Sequence, residues 1–169
     1  MESRLSDLVV FDIKAGGRAR SALGDAFRQV LADEQRPVLI AKGPVKGDGV
    51  TVVAWDGGKE ATRAVRTALP MLQKARQVIV LSAPDATSRK FDPQRIAAFL
   101  TERGAPATVH ALSGAHDPAK LLLAAAREAK ADLMVAGAFG HPRLQEFIFG
   151  GVTRDLLSAS DAPALFLSH

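Results

Sequence analysis

The stretch that decides the fold is Ala131-Asp-Leu-Met-Val-Ala136, which is followed by the loop Gly137-Ala-Phe-Gly140-His-Pro-Arg143. The first segment is a short apolar run, typical of a buried strand, and the second is spaced by glycines. Apolar residues at helical spacing come next, and a second apolar run, Pro163-Ala-Leu-Phe-Leu167, lies near the end. This order predicts a strand-helix-strand unit of a parallel sheet, with the loop at the carboxyl end of its strand, where open α/β sheets bind ligands.

The same alternation of strand and helix signals extends back to about residue 49. Val50 to Trp55 is a nearly continuous apolar run, as expected of a strand covered on both faces, and Asp56-Gly57-Gly58 ends it. Five strands joined by four helices predict an α/β fold with a doubly wound parallel sheet. The other predicted elements are a helix from Ala61 to Leu72, a strand from Val78 to Leu81, a helix from Asp92-Pro93 to Gly104, a strand from Thr108 to Leu112, and a helix from Asp117-Pro118 through Ala129.

The glycines carry a resemblance to the universal stress protein family. Gly137, Gly140 and Gly150 are separated by two and nine residues, which is similar to the Gly-x2-Gly-x9-Gly pattern of that family's ATP-binding members. In the family Ser or Thr follows, whereas this chain reads Gly150-Gly151-Val152-Thr153. The resemblance covers roughly residues 48 to 169. It implies a five-stranded adenine nucleotide alpha hydrolase-like sheet in the order 3-2-1-4-5, with a ligand crevice between the first and fourth strands.

An internal repeat accounts for the amino-terminal residues. Asp7-Leu8-Val9-Val10 parallels Asp132-Leu133-Met134-Val135, and a helical apolar face follows it. The face comprises Ala22, Leu23, Ala26, Phe27, Val30 and Leu31, while Arg28, Leu31, Pro37 and Leu39 match Arg154, Leu157, Pro163 and Leu165 at a constant offset. We therefore expect residues 1–41 to be a partial repeat (strand-helix-strand), 42–49 a linker, and 50–169 the complete domain. The chain resembles a tandem member whose first domain lacks three strands.

The resemblance implies a nucleotide site, and two interpretations of its residues stay open. Glycine N–H groups and a helix N-terminus favour an anion, Arg143 suits phosphate, and an aspartate like Asp56 lies by the adenosine in the family. Alternatively, Asp56 forms only an Asx-turn or helix N-cap, and the glycines only shape a turn and allow close packing. The candidate site residues are Asp56, Gly137, Gly140, His141, Arg143, Gly150, Gly151, Val152 and Thr153.

Composition excludes several classes of function. With no cysteine and no metal-like spacing among His110, His116, His141 and His169, neither thiol chemistry nor a metal site is expected. The net charge of +4 is spread along the chain and Tyr is absent, which argues against nucleic acid as a partner. No apolar run approaches the length of a membrane helix, and no signal sequence is visible, so a cytoplasmic location is expected.

Two functions remain, both for a non-enzymatic protein, because no catalytic residue can be assigned. The first is binding of an adenine nucleotide, ATP, by a stress-response sensor or interaction module. The alternative is a nucleotide-free module that dimerises and binds proteins. In the family, domains meet through their last strands, so Pro37 to Ala41 should lie antiparallel to Pro163 to Leu167. Asp7 to Phe11 would then be a bare edge that favours a homodimer or larger assembly, through a two-fold axis or a swapped fragment.

Overall fold

The described residues of the computed structural model form one sheet with helices on both faces. The structure describes residues 2–12, 22–43, 45–82, 91–114, 117–138 and 151–169. In chain order the elements are a 3-10 turn at Glu2–Leu5, β1 (Val9–Asp12), α1 (Ala22–Arg28) continued by a π-helical turn at Gln29–Asp33, β2 (Val38–Ala41), β3 (Val50–Trp55), α2 (Lys59–Leu72), β4 (Gln77–Ser82), α3 (Pro93–Glu102), β5 (Ala107–Ala111), α4 (Pro118–Glu128), β6 (Leu133–Gly137), α5 (Gly151–Ser158) and β7 (Ala164–Ser168).

The strand order over these ranges is β1-β2-β7-β6-β3-β4-β5. The last five strands of the chain are parallel and lie in the predicted order 3-2-1-4-5. The sheet has seven strands rather than five, because β2 pairs antiparallel with β7, with Ile40 opposite Leu165. This is the predicted contact between the two last strands of the repeat, and it is confirmed.

The apolar patterns place one core on each face of the sheet. Neighbouring strand residues such as Val52 and Val53 belong to different buried clusters, since successive side chains of a strand point to opposite faces. The cluster on the first face contains residues of α1, α4 and α5, and the cluster on the second face contains residues of α2 and α3. Phe27 of α1 and Val30 and Leu31 of the π-helical turn are buried as predicted, but Ala26 of α1 is exposed.

The predicted helix caps before α3 and α4 are present. Asp92 Oδ1 accepts a hydrogen bond from Gln94 N at 2.9 Å, and Asp117 Oδ1 accepts from Ala119 N at 3.1 Å. The hydrogen bond from the Lys120 backbone N–H is the largest cause that lowers the pKa of Asp117. Each aspartate precedes a proline at the start of its helix, where the missing N–H costs nothing.

Some predicted boundaries are wrong by one or two residues. The strand expected to begin at Ala131 begins at Leu133, and the helix expected to reach Ala129 ends at Glu128. The reason is a helix-terminating motif: Lys130 has a φ of 50°, and Ala131 N donates to Ala126 O at 2.9 Å. The third strand of the complete domain occupies Ala107–Ala111 rather than 108–112. The predicted helical residues Leu144, Phe147 and Ile148 lie outside the described residues.

Candidate functional site

The candidate site lies at the carboxyl ends of β3 and β6, which are neighbouring parallel strands. Their register pairs Ala54 with Ala136, so Asp56 and Gly137 follow at the same edge of the sheet. From β3 the chain crosses to β4 through α2, and from β6 it crosses to β7 on the other face, through α5. The strand order therefore reverses here, and this is where a doubly wound sheet opens a crevice for ligands.

Asp56 has a structural role that leaves part of its carboxylate available. Its Oδ1 accepts a hydrogen bond from Gly58 N at 2.7 Å, which confirms the Asx-turn. The alternative that Asp56 is the N-cap of α2 is wrong, because Gly58 occupies that position. Gly57 has a φ of 79°, and a Cβ there would lie 2.6 Å from Phe91 Cβ, so both the backbone and the space require glycine.

Gly137 is explained by close packing. A Cβ at this position would lie 2.6 Å from Ala61 N and 2.8 Å from Glu60 Cβ, so the first turn of α2 rests directly on the end of β6. The next residue is also engaged: Ala138 N donates to Ser168 O at 2.9 Å, and Ala138 O lies 3.0 Å from His169 Nδ1. Any anion held by N–H groups of this loop must therefore contact residues beyond Ala138.

The remaining predicted site residues divide into two groups. Gly140, His141, Arg143 and Gly150 lie outside the described residues. At the start of α5, Gly151 and Val152 are exposed, whereas Thr153 is buried. A Cβ at Gly151 would meet none of the described residues within 4 Å, so packing against them gives no reason for glycine at the position where the resembled pattern has Ser or Thr.

The sequence interpretation missed three polar groups near this edge of the sheet. Glu60 is buried in the first turn of α2, and Trp55 Nε1 and Ser168 Oγ, at the ends of β3 and β7, are buried with no hydrogen-bond partner among the described residues. The signal for Glu60 was present in the sequence. It stands four residues before Ala64, on the helix face that is otherwise apolar.

A basic groove adjoins the crevice on the outer side of α2. It has a volume of about 730 Å³ and begins at Gly57, next to Asp56. The groove is lined by Gly57, Lys59, Thr62, Arg63, Arg66, Thr67 and Phe91. Its lining among the described residues has three cationic side chains and no carboxylate, and this charge favours an anion close to the candidate site.

Neither a metal centre nor a membrane span is found in the part of the chain that the structure describes. No three His, Cys, Asp or Glu side chains converge there in a way that could hold a metal ion. His110 is exposed on β5, and His169 lies beside Ala138. None of the described helices is both long enough and apolar enough to cross a bilayer.

Comparison with known proteins connects this geometry to one family. Residues 85–167 match the model of the universal stress protein family. Among solved structures, a universal stress protein from Archaeoglobus fulgidus DSM 4304 aligns with a TM-score of 0.69 and 23% identity, over 96% of this chain and 60% of that one. Universal stress protein UspA from Lactobacillus plantarum aligns with a TM-score of 0.61 and 15% identity, over 75% of this chain and 100% of that one.

A third similar structure was solved with a nucleotide. It is described as a universal stress protein in complex with cAMP, and it aligns with a TM-score of 0.55 and 22% identity, over 73% of this chain and 99% of that one. These structural likenesses show a common fold, and the present chain spans only 60% of the length of the Archaeoglobus protein. No curated protein matches the chain.

Proposed function

We propose that this chain, whose residues 85–167 match the universal stress protein family, binds an adenine nucleotide, ATP, between β3 and β6 as a UspA-like member of that family. The observation that carries the proposal is the reversal of strand order at this edge, with Asp56 on one side and the start of the glycine-spaced loop on the other. The cAMP complex of a structurally similar protein supports a nucleotide as the ligand. In this proposal the protein acts in the cytoplasm as a stress-response sensor or interaction module.

The chemistry of the edge supports a ligand with both polar and anionic parts. Asp56 Oδ2 makes no hydrogen bond to the described part of the chain, so it can accept one from an adenosine group. Lys59 and Arg63 in the adjoining groove provide positive charge for phosphate. In the proposal, the exposed start of α5 at Gly151 contributes backbone N–H groups at a helix N-terminus.

The experiment compares ATP binding by the full chain with binding by Gly151→Ser and Gly151→Ala, using calorimetry. The serine hydroxyl adds a hydrogen bond to a charged phosphate, so Gly151→Ser should tighten binding by up to about tenfold. Gly151→Ala adds the same Cβ without the hydroxyl and is the matched control. A wild-type protein that gives no heat with ATP would overturn the proposal, and equal affinities of the two variants would contradict the role of position 151.

The proposal assigns no catalytic residue. Among the described residues, the carboxylates Asp92 and Asp117 serve as helix caps and Asp56 forms a turn. ATP should therefore remain intact when it is incubated with the protein. Steady release of phosphate, proportional to protein concentration and absent from a mock purification, would contradict a purely binding function.

A second function, self-association, is favoured by a specific observation at the other end of the sheet. β1 is the outermost strand, and β2 is its only neighbour among the described strands. Val10 on this strand is 60% exposed, and nearby in sequence Leu5 is 94% exposed. Unpaired backbone groups on an apolar edge favour pairing with another chain, so we propose that the partial repeat (residues 1–41) mediates a homodimer.

Light scattering tests the dimer, with the opposite edge of the sheet as the control. Val10→Lys places a charge on β1 and should convert the dimer to a monomer at micromolar concentration. Thr108→Lys makes a similar change on β5, an edge strand that already exposes Thr108 and His110, and should leave the dimer intact. A full-length wild-type protein that is monomeric at this concentration would exclude self-association through β1.

A further inference from the structure

Glu60 is a buried acid on an otherwise apolar helix face. Its side chain is 10% exposed. The other buried residues of α2 are all apolar: Ala61, Ala64, Val65, Ala68 and Leu72. Glutamate is rarely buried unless it is paired or hydrogen-bonded, because removing its charge from water is unfavourable. The position of Glu60 therefore needs an explanation other than packing.

The described part of the protein provides only a weak partner for this carboxylate. Lys59 Nζ lies 3.5 Å from Glu60 Oε1, but the Lys59 side chain is 83% exposed. Consecutive residues on a helix diverge from one another, and an ion pair with so exposed a lysine contributes little. No hydrogen bond to Glu60 is present among the described residues. The carboxylate has acceptor capacity that the described chain does not use.

Glu60 lies at the crevice between β3 and β6. A Cβ on Gly137 would be 2.8 Å from Glu60 Cβ, so the Glu60 side chain begins directly over the end of β6. Glu60 also stands four residues after Asp56, which ends β3. The two carboxylates therefore belong to the same edge of the sheet, with Asp56 in the Asx-turn and Glu60 in the first turn of α2.

We propose that Glu60 accepts hydrogen bonds from the sugar hydroxyl groups of the bound nucleotide and excludes phosphate from the part of the crevice next to the first turn of α2. This inference rests on the proposed nucleotide binding. An ionised carboxylate can only accept hydrogen bonds, so the ligand must present donors to it, and a phosphate would be repelled. The adjacent 2′- and 3′-hydroxyl groups of ribose are two neutral donors that match two carboxylate oxygens. The phosphates then point away from α2, towards the start of α5.

The experiment is a ligand series measured by calorimetry on the full chain. The wild-type protein should bind ATP about tenfold more tightly than 2′,3′-dideoxy-ATP, because hydrogen bonds to a charged group are lost with the hydroxyls. Glu60→Gln should reduce this ratio to about threefold or less, since the amide lacks the charge. Glu60→Gln should also bind inorganic tripolyphosphate more tightly than the wild type, because the repulsion is gone. Glu102→Gln, at the exposed end of α3, is the matched control and should change neither result.

The outcomes separate this inference from the proposed function. If the wild type binds ATP and dideoxy-ATP equally, or if Glu60→Gln keeps the wild-type ratio, nucleotide binding stands and the role of Glu60 is wrong. If the wild type binds neither, the proposed function fails and this inference fails with it. Circular dichroism checks the fold of Glu60→Gln. Should that variant be unfolded, the two wild-type affinities decide the question by themselves.

Discussion

The two strand-helix-strand segments of the predicted repeat have similar sequences but different surroundings. β6 lies between β3 and β7, and all of its residues except Gly137 are buried. β1 has a single neighbour among the described strands, and only its Phe11 is buried. The first face of both strands packs on helices, but the second face of β6 is covered by α2, whereas Val10 on β1 is exposed. Local sequence thus specifies the strand, and the neighbouring elements decide how much of it is buried.

The partial repeat is held by the rest of the protein rather than by its own contacts alone. Phe11 and Phe27 form an edge-to-face pair with centroids 5.6 Å apart, and both belong to the cluster that contains Ile40 and Leu165. Ile40 also lies opposite Leu165 in the antiparallel register of β2 and β7. Because two strands without a larger sheet are marginally stable, the seam between β2 and β7 should carry most of the stability of this region.

The largest expected effect comes from weakening that seam. Ile40→Ala should lower the free energy of unfolding by about 2–5 kcal/mol, because Ile40 is fully buried in the cluster that also contains Phe27 and Leu165. Val10→Ala, on the exposed face of β1, should lower it by less than about 1 kcal/mol. Urea denaturation at a fixed low protein concentration measures both. Equal losses would show that β2 is no better buried in solution than β1.

A smaller effect on the free energy of unfolding is expected at the carboxyl ends of β1 and β6, the corresponding strands of the predicted repeat. Gly137 ends β6 beneath α2, whereas its counterpart Asp12 ends β1 and is exposed. Gly137→Ala should cost about 1–3 kcal/mol, because the new methyl group meets backbone atoms of α2 that cannot move aside easily. Asp12→Ala should change the free energy of unfolding by no more than about 0.5 kcal/mol. If thermal unfolding shows the two variants to be equally stable, the contact between α2 and β6 has been assigned wrongly.

The smallest effect concerns a contact between the predicted linker and the complete domain. Lys42 Nζ donates to Ala159 O at 2.6 Å, and burial, which outweighs the opposite effect of Asp161, lowers the pKa of Lys42 from 10.5. Between the lowered pKa and 10.5 the unfolded chain binds more protons than the folded protein. The contribution of Lys42 to the free energy of unfolding should therefore rise with pH in that window.

Comparing wild type with Lys42→Met at about pH 8 and about pH 10.5 isolates this contribution, because other titrating groups cancel in the difference. The wild type should gain stability relative to the variant as the pH rises. Lys74→Met, which removes an exposed lysine after α2, should show no such change. A difference that stays constant between the two pH values would mean that Lys42 is solvated in the folded protein.

Sequence alone predicted the elements whose signals are local. The caps at Asp92 and Asp117 depend on a carboxylate two residues from a free N–H, and both are present. The end of α4 was less predictable, because Lys130 adopts a positive φ in a position where glycine or asparagine is expected. At the site, the sequence placed Asp56 and Gly137 at one edge, but it could not decide between packing and binding for the glycine. That answer depends on α2, which lies more than sixty residues away in the chain.

The sequence by itself determined the α/β class, the strand order through its family pattern, and the antiparallel seam between the two copies. The α/β class follows from periodic apolar runs and caps, which act over short distances along the chain. The strand order and the contact between the two copies were implied by the family resemblance and the repeat. Only the tertiary structure decided that Gly137 supports α2, that Glu60 is a buried acid over it, and that β1 exposes Val10. Whether a residue is buried depends on which elements pack against it, and those elements can be distant in the sequence. Similar strand sequences are therefore almost fully buried in β6 and partly exposed in β1.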